Sequence, residues 1–379
     1  MNDADNNEQI GTSAQGTDYS VQTADSSAQT VDPAVISADS SAHKDVRAVN
    51  IVFLILAVVP QLISMTGLFV LVESYAMKLL VSQLMFVLPV IVYLLVFKKS
   101  AAVCRFRRIR ISNLLLCLLF YICIMPVMTF LNTVSLLYSK NGITSVILGV
   151  SSEIPFAAGL LIVAVIPAFC EELTYRGVIF NTYRQVNPLG AIILSGVLFG
   201  LLHGNLNQIT YAIALGIAFA LLVEATDSIF SSMVVHCLVN SFSTVVIYAI
   251  PKLLDYIKVL RDEAEAAGDT QTLELIRTLI GTREPTVDAF FGVSMEMGIT
   301  DVLRSIAGAL IPAAIGGALA FFLYRLIARR CGRWEHIQNI FRNRQKSGRL
   351  ITAPLVIAML ALVAVTVLNE LVLRGIIAL

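Results

Sequence analysis

Residues 155–181 read PFAAGLLIVAVIPAFCEELTYRGVIFN. From Pro155 to Cys170 no charge appears; Glu171, Glu172 and Arg176 then follow within two helical turns. At ~1.5 Å per residue, a helix of this length exceeds the ~30 Å hydrocarbon core of a bilayer, so the stretch reads as a membrane span. Each ionisable group costs roughly 2.5–3.5 kcal/mol at the centre of such a helix. Three of them unpaired would cost on the order of 8–10 kcal/mol. They must therefore face partners or a watered cavity. Glu172 and Arg176 are four apart and can pair along one face. Glu171 points about 100° away from Glu172 and is left free for another task.

The rest of the chain has the same character. Of 379 residues, 57% are hydrophobic and 14% charged, against about 25% charged in soluble domains. Apolar runs near 49–71, 76–97, 112–138, 155–181, 189–207, 208–225, 229–250, 303–328 and 351–373 each approach a span. No strict alternation of the kind a transmembrane barrel needs is seen. The expected fold is all-α: a polytopic membrane protein of about eight or nine transmembrane helices around a polar intramembrane cavity. Net charge is +1, which gives no sign of a nucleic-acid partner; the partners expected are the bilayer and a membrane-associated peptide or protein, with oligomeric state open. The six cysteines are scattered without a C-x-x-C pair, so no thiolate metal site or disulfide framework is indicated.

Residues 1–47 are polar and acidic and read as a disordered cytoplasmic tail, ahead of a membrane domain over 48–379. Basic segments from Lys98 to Arg110 and from Arg325 to Arg349 fall on one side if every run crosses. The positive-inside rule makes that side cytoplasmic. Residues 251–302, richer in acids than bases, then form an external loop. Within it Leu273, Ile276 and Ile280 repeat at helical spacing behind Asp269, which suggests an amphipathic helix.

Four-residue spacing recurs further on, at Phe199 and His203 and at His236 and Asn240. Imidazole can accept a proton, orient water or bind a metal, and an amide can donate to a developing oxyanion. Each residue alone has an ordinary use: His as a packing residue, Glu172–Arg176 as a lock, Phe199 as core, Asn240 as glue between helices. Their conjunction points to chemistry. By the span ends, His203 sits on the order of 10–15 Å from the level of Glu171 and His236.

In these residues the chain resembles the CPBP family, the type II CAAX prenyl endopeptidases and their bacterial relatives. Its marks are E-E-x-x-x-R, F-x-x-x-H and H-x-x-x-N or D on successive helices. Here they are Glu171-Glu172-x-x-x-Arg176, Phe199-x-x-x-His203 and His236-x-x-x-Asn240, in order, with a similar core at about 155–250. The resemblance implies an intramembrane glutamic endopeptidase of a prokaryotic plasma membrane. Glu171 would be the base, His203 would hold the water, and His236 and Asn240 would stabilise the oxyanion. Glu172, Arg176 and Phe199 would support them. No cofactor is expected, with zinc as the less favoured choice. Two other classes stay open: a non-proteolytic scaffold that keeps the protease fold, and a transporter with a proton relay. The last run holds Glu370-Leu-Val-Leu-Arg374, an echo of Glu172 to Arg176 with Asn369 at the place of Glu171; it reads as a structural pair near the outer interface.

Overall fold

The computed structural model describes residues 33–68, 71–140, 149–280, 298–342 and 348–377. Most of the expected tail, residues 1–32, lies outside them. The described chain is helical, without strands. Its principal helices are α1 (Pro33–Met65), α2 (Tyr75–Val96), α3 (Ile111–Ser135), α4 (Phe156–Tyr183), α5 (Pro188–Leu202), α6 (Leu206–Thr226), α7 (Ile229–Ala267), α8 (Thr270–Ile280), α9 (Ile299–Arg330), α10 (Trp334–Arg342) and α11 (Ala353–Leu373). Among the described residues, eight helices are long and apolar enough to cross a membrane: α1–α4, α6, α7, α9 and α11. The chain is an integral, multi-pass membrane protein.

Several boundaries differ from the sequence reading. α1 begins at Pro33, inside the segment read as tail. α7 does not stop at 250 but runs through Pro251 to Ala267, so the first part of the segment read as a loop continues that helix. α8 then starts behind Asp269, whose carboxylate accepts from Gln271 N, Thr272 N and Thr272 Oγ1. Residues 281–297 of that segment lie outside the described residues.

α5 is the informative exception. It has 15 residues, so it rises only ~22 Å, short of the ~30 Å core. Pro188 at its first turn and the Asn187 side chain, accepting from Gly190 N, fix its start. Its end is set by Gly204 at φ +59° and by Asn205, whose side chain caps α6 through Asn207 N and Gln208 N. The chain reverses in three residues, and His203 stands at the turn. α5 and α6 approach closely through glycines. A Cβ on Gly216 would lie 2.7 Å from Gly196 Cα, and one on Gly200 2.4 Å from the Ile213 side chain. Small residues here let two backbones pack where no hydrophobic drive exists between helices in lipid.

The two basic segments meet at one end of the bundle. Buried Glu224 of α6 pairs with Arg184 and Arg333, each at 3.1 Å, and with His336 at 3.1 Å. Asp227 binds Arg105 and Arg107, and Lys99 binds Asp45 at 2.6 Å. Burial pulls the Arg184 guanidinium down to about 10, which leaves it charged at neutral pH. At the opposite end, Glu370 pairs with Arg374 at 2.7 Å and accepts from Lys140 N at 3.1 Å, while Arg374 donates to the Tyr138 carbonyl. The echo motif thus ties α11 to the end of α3.

Because the α5–α6 crossing has no room for a methyl group, Gly216→Ala should lower stability by ~1–3 kcal/mol, the usual cost of overpacking. Gly308→Ala, where nothing lies within 4 Å of the new Cβ, should hold level or gain. Thermal unfolding of both variants in one detergent checks the pair; equal midpoints would contradict the close crossing.

Candidate active site

α4 carries the first part of the site. Within it, a regular stretch from Ile166 to Glu172 lies between two wider, π-helical ones, Leu161–Val165 and Leu173–Phe180, a local form that recurs at functional sites. Glu172 and Arg176 are both fully buried and pair at 2.9 Å. Arg176 spends a second donor on the Gly216 carbonyl at 2.8 Å. Its guanidinium also lies against three rings: Phe199 at 4.6 Å, Phe219 at 5.1 Å and Tyr175 at 5.6 Å from the centroids.

His236 of α7 joins this pair to Glu171. Its Nδ1 lies 3.0 Å from Glu172 Oε1, the oxygen that also accepts from Arg176. Its Nε2 faces Glu171 Oε2 at 3.8 Å. The ring is stacked on Phe219 with centroids 5.2 Å apart and meets Phe199 edge-on at 5.6 Å. With Nδ1–H committed to Glu172, Nε2 is the nitrogen turned towards Glu171. Two carboxylates and one guanidinium leave one negative charge over. The cluster is neutral when one further proton is shared between Glu171 and His236.

His203 is reached through the same aromatic. Its Nδ1 lies 2.7 Å from the Phe199 carbonyl, and its ring is 4.9 Å from the Phe199 ring. A single ring, that of Phe199, therefore lies between the two histidines. Because α5 ends at Leu202, His203 stands on a turn rather than within a full-length span. Its Nδ1–H donates to Phe199, which leaves Nε2 with its lone pair free.

Asn240 stands apart. It is half-buried one turn beyond His236. Its backbone carbonyl accepts from Thr244 Oγ1 at 2.8 Å, but no side-chain contact joins its amide to the cluster among the described residues. The structure thus brings together Glu171, Glu172, Arg176, Phe199, His203 and His236, and leaves Asn240 at their edge. Among the described residues, no group of three or more His, Cys, Asp or Glu side chains is arranged to hold a metal ion. An open cleft of about 590 Å³ near Arg325, Arg329 and Trp334 contains none of the site residues.

Sequence reasoning missed two amides. Gln83 of α2 donates from Nε2 to Glu171 Oε1 at 3.5 Å. Asn369 of α11 donates to the Gly204 carbonyl at 2.9 Å and so supports the turn beside His203. The signal for Gln83 was a lone amide in an otherwise apolar run. Asn369 was visible only as the counterpart of Glu171 in the echo.

Comparison with known proteins converges on the segment that builds most of this cluster. Residues 153–242 match the family model of type II CAAX prenyl endopeptidase Rce1-like proteins. The "Putative membrane peptidase YdiL" of Bacillus subtilis (strain 168) is 28% identical over 116 residues, which is 30% of this chain and 46% of that protein. The chain therefore matches about half the length of this curated relative. No solved structure matches. The matched segment comprises α4, α5, α6 and the first turns of α7, and in it the chain is similar to the type II CAAX prenyl endopeptidase Rce1-like proteins.

Proposed function

We propose that the chain is an intramembrane endopeptidase that hydrolyses a peptide bond of a membrane-associated or lipidated peptide with water activated by Glu171, and without a metal. The observation that supports this most is the buried relay Arg176–Glu172–His236–Glu171, with contacts of 2.9, 3.0 and 3.8 Å. A purely structural lock would end at the Glu172–Arg176 pair. Here it goes on through an imidazole to a second carboxylate that keeps 13% of its side chain exposed.

These positions support the following order of steps. Glu171 takes a proton from water as the water oxygen attacks the peptide carbonyl carbon. His203 Nε2, free because Nδ1 is committed to Phe199, accepts the other hydrogen of that water. The carbonyl π pair moves to oxygen and forms an oxyanion. His236, holding the cluster's further proton on Nε2, donates to it, with the Asn240 amide as second donor. Glu172 fixes the orientation of the His236 ring, as a carboxylate does in a nucleophilic triad. Collapse breaks the C–N bond, and Glu171 returns its proton to the leaving amine. By the positive-inside rule, the basic end of the bundle favours a cytoplasmic N-terminus, in a prokaryotic plasma membrane.

Glu171→Gln should abolish cleavage of lipidated and membrane-anchored peptides by purified protein, with yield and thermal midpoint kept. Normal turnover by that variant would remove the mechanism. No cleavage by the wild type across such a panel would favour a scaffold.

Losing one oxyanion donor typically costs ~10²–10³ in rate. Asn240→Ala should lose rate on that order in single-turnover assays, with substrate affinity little changed. Weakened binding at an unchanged rate would make Asn240 a positioning residue.

Exhaustive chelation should leave activity intact, and elemental analysis should find no stoichiometric zinc. Activity lost to the chelator and restored by zinc alone would reverse the metal-free assignment.

A further inference from the structure

Gln83 lies midway along α2, outside the matched segment, and is 7% exposed. An amide at such a position in a membrane helix is ordinarily glue between helices, and glue is satisfied at both ends. Gln83 is not. Its Nε2 reaches Glu171 Oε1 at 3.5 Å, while its Oε1 is buried with no hydrogen-bond partner among the described residues. The assignment of the two ends is fixed by the neighbour, because an amide oxygen turned to a carboxylate would be repelled. The half-satisfied amide is therefore held where packing alone would not keep it.

The other side of Glu171 explains the arrangement. Its Oε2 faces His236 Nε2 at 3.8 Å. Among the described residues each carboxylate oxygen thus has one partner, Oε1 on α2 and Oε2 on α7. A glutamate side chain has several free torsions, and a base must stay within a narrow range of geometry to attack through water. One imidazole contact leaves the carboxylate able to swing; a second donor from the opposite wall stops it. Contacts between α2 and α4 continue one turn on, where Thr174 Oγ1 donates to the Phe86 carbonyl at 3.4 Å, so the amide is presented from a packed helix.

We propose that Gln83 is a positioning residue for the reaction: its amide N–H holds the Glu171 carboxylate in the orientation from which it takes the proton of water. This rests on the reading of Glu171 as the base. It also means that the working site extends beyond residues 153–242, with α2 as its second wall.

The test is Gln83→Met, which keeps the length and apolar volume of the side chain and removes the N–H. Full-length protein would be assayed in nanodiscs on the peptide that the wild type cleaves fastest from a lipidated and membrane-anchored panel. The expected result is a fall in kcat of about 10- to 100-fold, the range for losing a hydrogen bond to a charged group, with KM within about twofold. The thermal midpoint should stay within about 3 °C. An unchanged kcat would overturn the proposal, as would a loss of rate matched by an equal loss of folded protein.

A readout independent of turnover separates this proposal from the proposed function. The infrared carboxylate band of Glu171, isolated as the difference between wild type and Glu171→Gln, should move in the Gln83→Met background. If the wild type cleaves nothing, the proposed function fails while the band still reports the contact. If the wild type cleaves and the band does not move, Gln83 fails alone.

Discussion

A guanidinium with no access to water governs this molecule. Arg176 is fully buried in a protein whose surroundings are lipid, and a lone cation there would be prohibitive. It is made tolerable by Glu172, by the Gly216 carbonyl and by three aromatic faces. Those partners come from α4, α5 and α6. The helices must therefore meet at this point, and the glycines of the α5–α6 crossing are what let them. The same constraint orients the chemistry. Glu172 holds Arg176 with the oxygen that also takes His236 Nδ1, so the charge lock and the histidine's orientation are one feature.

The sequence reveals the parts of this network that repeat at one helical turn. Glu172 and Arg176, Phe199 and His203, and His236 and Asn240 all carry that spacing, and it survives even where α4 widens into π-helical form. Polarity in an apolar run marks a span because the bilayer penalises it. Contacts created by tertiary packing leave no such mark. Gln83 has no partner at helical spacing, and its significance depends on α2 lying against α4. The link from His236 to Glu172 joins helices 64 residues apart, which no local pattern encodes.

Boundaries fail for a different reason. Hydropathy reports where lipid ends, not where a helix ends. α7 leaves its apolar run near Ile250 yet stays helical to Ala267, straight through Pro251. α5 is the reverse case: the run read as reaching residue 207 stops as a helix at Leu202, where Gly204 and the Asn205 cap end it.

That early end of α5 bears on a problem every hydrolase in lipid must solve, which is the supply of water. A histidine at the midplane would lie ~15 Å from either face of the hydrocarbon core. His203 caps a helix that rises ~22 Å from the basic end, so the dry path remaining on the other side is on the order of 8 Å. The backbone exposed by stopping a helix there is not left bare, since Asn369 donates to the Gly204 carbonyl and the Asn205 side chain accepts from Asn207 N and Gln208 N. On the proposed function, a truncated helix would do what a pore otherwise does: it would shorten the path from solvent to the reacting bond instead of threading a channel through the bundle.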